Sequence, residues 1–265
     1  MSTSADRLFH WLLVLLITAG AFFGLAPFLA PATFASATSF SGQDVFLYRL
    51  AGASTFAYAI GLAVGFRAGW TALRIPIAAT AVFNASSIGA CLVAIAAGNP
   101  PLVVFVILAA SIVFTAATAY YLARPPLASA SGMSANASTV TLASWTKALF
   151  AIGGIAAAFF GLAALVAAGA FGKAVGYSGA DDFVYRQGGA ATLGAAVGGL
   201  LVLRSPHWES ARLPASMAIT FNGLSVIAAL LDISGGGSHP IAWVILGAAA
   251  LVTVGMSIAV MRKGQ

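Results

Sequence analysis

Charge is scarce in this chain. Only 7% of its 265 residues are Asp, Glu, Lys or Arg, against about 25% in an ordinary soluble domain. So few charges cannot clothe a water-facing surface of this size, which excludes a soluble enzyme and a disordered chain. Cysteine is almost absent: Cys91 stands alone inside an apolar run. That excludes an internal disulfide, a secreted disulfide scaffold and a thiolate metal cluster. The three histidines, His10, His207 and His239, are scattered, so no haem or metal site is expected and no cofactor is implied. There is no Gly-rich phosphate loop, no Ser/His/Asp set and no pair of facing carboxylates, and the chain is expected not to be an enzyme. No apolar run carries Asp or Glu at its centre, although Asp232 lies near one end. Proton- and ion-coupled carriers usually place an ionisable group there.

What is abundant is apolar sequence: 61% of residues are hydrophobic and the mean hydropathy is +1.00. Runs long enough to cross a bilayer, about 20 residues each, recur at 8–30, 45–66, 75–97, 102–123, 147–170, 183–203, 213–234 and 240–261. Short turn-forming breaks separate them, such as Gly98-Asn99-Pro100-Pro101. The first run follows Arg7 as a signal peptide would, but it exceeds the usual apolar length of about 7–15 residues. It also has a second copy inside the chain.

That second copy belongs to a duplication. Ala21-Phe22-Phe23-Gly24-Leu25-Ala26 recurs as Ala158-Phe159-Phe160-Gly161-Leu162-Ala163, 137 residues on. The same offset pairs Ser41 with Ser178, Gly42 with Gly179, Asp44 with Asp181, Tyr48 with Tyr185, Arg49 with Arg186 and Arg67 with Arg204. After one inserted residue, Trp70 pairs with Trp208, Arg74 with Arg212, Pro76 with Pro214, Asn84 with Asn222 and Ser87 with Ser225. The expected fold is an all-α polytopic membrane protein, with eight transmembrane helices arranged as two parallel four-helix repeats. The repeats occupy 1–124 and 146–265, and an uncharged Ser/Ala/Pro linker over 125–145 joins them.

Basic residues gather at alternate breaks, which places Arg7, Arg67, Arg74, Arg124, Lys147, Arg204, Arg212, Arg262 and Lys263 on one side. Lys173, Asp44, Asp181, Asp182, Asp232 and His239 fall on the other. Both termini are therefore expected in the cytoplasm, with the chain in a bacterial-type cytoplasmic membrane. The net charge of +6 then reflects topology and anionic lipid rather than nucleic acid.

Three repeated constellations are candidates for chemistry. Asp44, Asp181 and Asp182 begin two spans, where a carboxylate suits the helix N-terminus. Tyr48, Arg49, Tyr185 and Arg186 follow one turn inward. Asp182 shares a face with Arg186, and the two arginines either pair locally and snorkel or converge on a lipid head group or other anion. Asn84, Ser87, Asn222 and Ser225 lie near the midplane and need hydrogen-bond partners there, either each other across helices or, alternatively, the lining of a small polar cavity. Arg67, Trp70, Arg74, Arg204, Trp208 and Arg212 read as interfacial anchors, with Pro76 and Pro214 in the first turn of the next helices. Gly161, Gly189, Gly194, Gly198 and Gly199 permit close helix approach.

With no catalytic or coupling groups, the expected role is binding through helix faces or lipid, as an accessory or scaffold subunit of a larger membrane complex. The alternative is a passive transporter or channel for a small polar or amphipathic molecule, with a site between the repeats. Expected partners are membrane lipids and a membrane protein or second copy, not nucleic acid.

Overall fold

The computed structural model describes residues 4–126, 140–205, 207–237 and 240–262. Most of the expected linker, together with His239 and Lys263, lies outside them. Among the described residues the chain forms ten helices: α1 (Ser4–Leu29), α2 (Pro31–Thr38), α3 (Val45–Val64), α4 (Trp70–Ala96), α5 (Leu102–Ala123), α6 (Ser144–Val166), α7 (Ala168–Ala174), α8 (Asp182–Leu203), α9 (Trp208–Ser234) and α10 (Pro240–Met261).

Seven of them, α1, α3, α4, α5, α6, α9 and α10, are long and apolar enough to cross a membrane. The molecule is a helical integral membrane protein. The remaining long helix, α8, has 22 residues but carries Asp182, Arg186, Gln187 and five glycines, which dilute its hydropathy.

Two short helices differ from expectation: α2 lies in the break after the first apolar run, and α7 begins inside the run expected over 147–170. Pro31 opens α2 at its first position, where a missing N–H costs nothing. Ala167 leaves helical geometry at φ −122° and ψ 41°, so α6 ends short of the expected residue 170. Two prolines also differ from expectation. Because α4 and α9 start at Trp70 and Trp208, Pro76 and Pro214 lie inside the helices rather than in their first turns.

The packing interleaves the chain. α3 lies between α1 and α9, α8 lies between α6 and α4, and α5 and α10 flank α4 and α9 respectively. α3 and α4 are neighbours in sequence yet meet only briefly. The α1–α3 crossing is close because Gly24 faces Phe56, whose Cα would lie 2.7 Å from an added Cβ. At the α6–α8 crossing Gly161 faces Leu193 in the same way, with the backbone N at 2.8 Å.

At the end of the bundle away from Asp44 the core is exchanged. Leu213 of α9 packs with Phe9, Leu13, Leu62 and Leu73, while Ile75 of α4 packs with Phe150, Val202, Trp208 and Met256. Trp208 is only 7% exposed, so it is a core residue rather than a lipid-facing anchor. Its backbone N–H donates to the Val140 carbonyl at 2.9 Å, which holds the incoming chain over it. Arg67, Arg74 and Arg204 are exposed, Trp70 packs edge-on to Phe9 at 5.9 Å, and Arg212 pairs with Glu209 at 3.0 Å.

Candidate functional site

The two Ser-Gly-x-Asp segments lie in loops that cross over one another. Asp44 precedes α3 and Asp181 precedes α8, as the capping argument requires, but neither side chain caps its own helix. Each reaches instead to the other segment. The Asp181 carboxylate accepts from Ser41 N–H and Ser41 Oγ (both 2.8 Å), Gly42 N–H (3.0 Å) and the Tyr48 hydroxyl (2.8 Å). The Asp44 carboxylate accepts from Ser178 N–H (2.9 Å), Ser178 Oγ (2.7 Å), Gly179 N–H (3.2 Å) and the Tyr185 hydroxyl (3.0 Å). Both aspartates are 5% exposed. Gly42 and Gly179 hold φ near +68° and +66°, a left-handed conformation that aims their N–H groups at the carboxylates and suits glycine.

Aromatic stacking doubles the exchange. Phe40 stacks on Phe183 and Tyr177 stacks on Phe46, each at 5.6 Å. Burial, with the Asp232 and Asp44 carboxylates nearby, pushes the Tyr177 phenol above its ordinary range, so it stays neutral at physiological pH. This clasp explains the repeated Ser, Gly, Asp and Tyr identities as hydrogen-bonding partners of one another.

The arginines beside the clasp are unlike each other. Arg186 is held by Asp182 at 3.2 Å, one turn back, as the spacing implies. Arg49 has Val45 at that position, and its Nε is buried without a hydrogen-bond partner among the described residues. Neither arginine lines either of the two cavities between the helices.

The larger cavity, about 300 Å³, is bounded by α3, α4, α6, α8, α9 and α10 and includes Asn222 and Ser225 in an otherwise mainly Ala, Gly, Leu and Phe wall. The smaller, about 120 Å³, is bounded chiefly by α1, α3, α4, α5 and α8 and includes Asn84 and Ser87. Tyr58 and Ala51 line both, so they stand between them. Tyr58 is fixed there by donating its hydroxyl to the Ala191 carbonyl at 2.7 Å.

The asparagines do not meet across helices. Asn84 Nδ2 donates to Thr80 O at 2.9 Å and Asn222 Nδ2 to Ala218 O at 2.8 Å, each one turn back in its own helix. The polar partners reached by Ser87 were not singled out by the sequence. Ser87 Oγ donates to Gln187 Oε1 at 2.7 Å and Ser111 Oγ donates to Ser87 Oγ at 3.2 Å. Gln187 Nε2 faces Cys91 Sγ at 3.7 Å. Gln187 and Ser111 occupy positions whose copies are Leu50 and Ala249, so a search for repeated residues passes over them. Polarity at an apolar helix position is the signal that finds them.

No family model matches the chain, and no characterised protein or solved structure matches it either.

Proposed function

We propose that this is a non-enzymatic integral membrane protein that binds a lipid-soluble molecule between its helices. The observation that carries this reading is the larger cavity. Its wall is nearly all apolar, and Ala156 and Phe160 of α6 and Ala248 of α10, which help to line it, are exposed on the bundle's flank. α6 and α10 touch only lightly, so a molecule dissolved in the bilayer has a sideways route in. A volume of about 300 Å³ is at the lower end of small-molecule sites and suits part of an acyl or prenyl chain. Tyr58 and Ala51 between the two cavities favour two binding chambers over one continuous channel.

On this reading the chain crosses the membrane eight times, α8 included, as two parallel four-helix repeats, with both termini in the cytoplasm of a bacterial cell. The 22 residues of α8 span about 33 Å at 1.5 Å per residue, and its charged end lies beside the clasp. The exposed apolar faces of α5 (Phe105, Ile112, Val113) and α10 (Val244, Leu251, Val254) meet lipid, or a partner subunit of a larger complex.

The test is extraction in a polymer that keeps native lipid, followed by particle mass and lipid identification. Gly153 lines the larger cavity, and a Cβ added there meets nothing within 4 Å. Gly153→Leu should therefore fill the space without disturbing the fold. The expected result is a defined lipid retained by the unaltered protein and lost from Gly153→Leu. Equal retention by both proteins refutes the cavity reading, and a stoichiometric partner protein with no retained lipid points to the accessory-subunit role.

A further inference from the structure

The two cavities occupy matching places relative to the duplicated segments but differ in chemistry. Asn84, Ser87 and Thr55 of the smaller one correspond to Asn222, Ser225 and Thr192 of the larger. At several other matched positions the smaller cavity is polar and the larger apolar, among them Gln187 against Leu50, Ser111 against Ala249 and Thr80 against Ala218, while Phe40 of the smaller against Tyr177 of the larger is the reverse. A glutamine in a bilayer-embedded helix is costly without partners, and this one is only partly supplied. Its Oε1 accepts from Ser87. Its amide carries two N–H donors, and among the described residues their protein acceptor is the Cys91 sulfur at 3.7 Å, a weak one. The amide therefore retains donor capacity beside a cavity of about 120 Å³, a little under the roughly 150 Å³ that accepts benzene. Among the described residues no Asp, Glu, Lys, Arg or His lines that space, so a charged guest would have no counter-ion.

The smaller cavity also has a lipid-facing side. α1 and α5 meet where Phe9 packs on Tyr121 at 4.8 Å and have few other contacts. Toward the cavity their walls are the half-buried Ala19, Phe23, Ala110 and Phe114.

We propose that the smaller cavity binds the polar end of an uncharged amphiphile. Its hydroxyl or carbonyl oxygen accepts from the Gln187 amide within the Gln187–Ser87–Ser111 cluster, and its tail leaves between α1 and α5. This rests on the lipid-soluble ligand reading above and assigns the polar end to one chamber.

The probe is a long-chain primary alcohol carrying a diazirine beside its hydroxyl, added to the full-length protein in lipid nanodiscs. After irradiation, labelled peptides are mapped by mass spectrometry. Label should fall on α4, α5 and α8 around Ser87, Ser111 and Gln187. Excess unlabelled alcohol should displace it, whereas an alkane or a fatty-acid anion of equal length should not. Gln187→Leu with Ser111→Ala installs the residues found at the copied positions and should reduce labelling roughly tenfold, the loss of one or two net hydrogen bonds. Leu50→Gln should create new labelling in the larger cavity, a gain that a folding defect cannot imitate. Labelling that ignores Gln187→Leu, or that the anion or alkane suppresses equally, overturns this assignment. Labelling confined to the larger cavity overturns it while leaving the lipid-binding reading standing. Labelling spread only over the outer faces of α5 and α10 overturns both.

Discussion

Asp44 and Asp181 each take four hydrogen bonds from across the molecule while only 5% exposed. Asn at either position keeps the shape but turns one acceptor into a donor facing other donors. Hydrogen bonds to a charged group are worth about 1.5–3 kcal/mol, and a buried donor left unsatisfied costs about 1–3 kcal/mol. Asp181→Asn should lower stability by about 2–4 kcal/mol and Tyr185→Phe by about 1–2 kcal/mol, both readable as reduced thermal stability in nanodiscs. Unchanged melting of Asp181→Asn would mean that the clasp does not hold the fold. The importance of these residues was legible in the sequence because Ser, Gly, Asp and Tyr recur together. Their partners were not, because helix-end electrostatics is a local argument and the donors lie at separations of 133 to 141 residues. The Arg186–Asp182 pair was legible for the opposite reason, being one turn apart.

Helix existence could be read from apolar run length, because a bilayer fixes how much chain a crossing needs. Helix ends were less legible. α2 and α7 are hidden because Ala- and Phe-rich sequence looks alike inside and just outside a span. Trp70 and Trp208, read from the sequence as interfacial anchors, are the first residues of α4 and α9, which moves Pro76 and Pro214 inward. Glycine shows why composition alone misleads. Gly153 and Gly161 belong to the same helix, but a side chain at Gly153 meets open space while one at Gly161 meets the α8 backbone at 2.8 Å. Gly161→Val should part α6 from α8 and cost about 1–3 kcal/mol, as overpacking does. Gly153→Leu should leave the melting temperature unchanged or raise it, since leucine is the better helix former. Equal destabilisation by the two would contradict the described crossing.

At the scale of the whole molecule, neither half of the chain completes a core alone. α3 needs α9, α8 needs α4, and Leu213 and Ile75 each fill a cluster built mainly from the opposite half. Residues 1–126 and 140–265, produced as separate chains, should each be degraded or aggregate. Produced together, they should assemble into a protease-resistant complex that survives gentle extraction. Independent stability of either half would contradict the interleaving. Duplication alone dictates no spatial arrangement, since two copies can equally form two adjacent bundles; the pairing of α3 with α9 and α4 with α8 distinguishes the arrangements.

The clasp also imposes an order on biogenesis. The partner hydroxyl of Asp44 belongs to Tyr185, 141 residues later in the chain. At about 5–20 residues per second, the ribosome takes roughly 7–28 s to supply it. Throughout that interval the first half has its aspartate and the flank of α3 without their final partners.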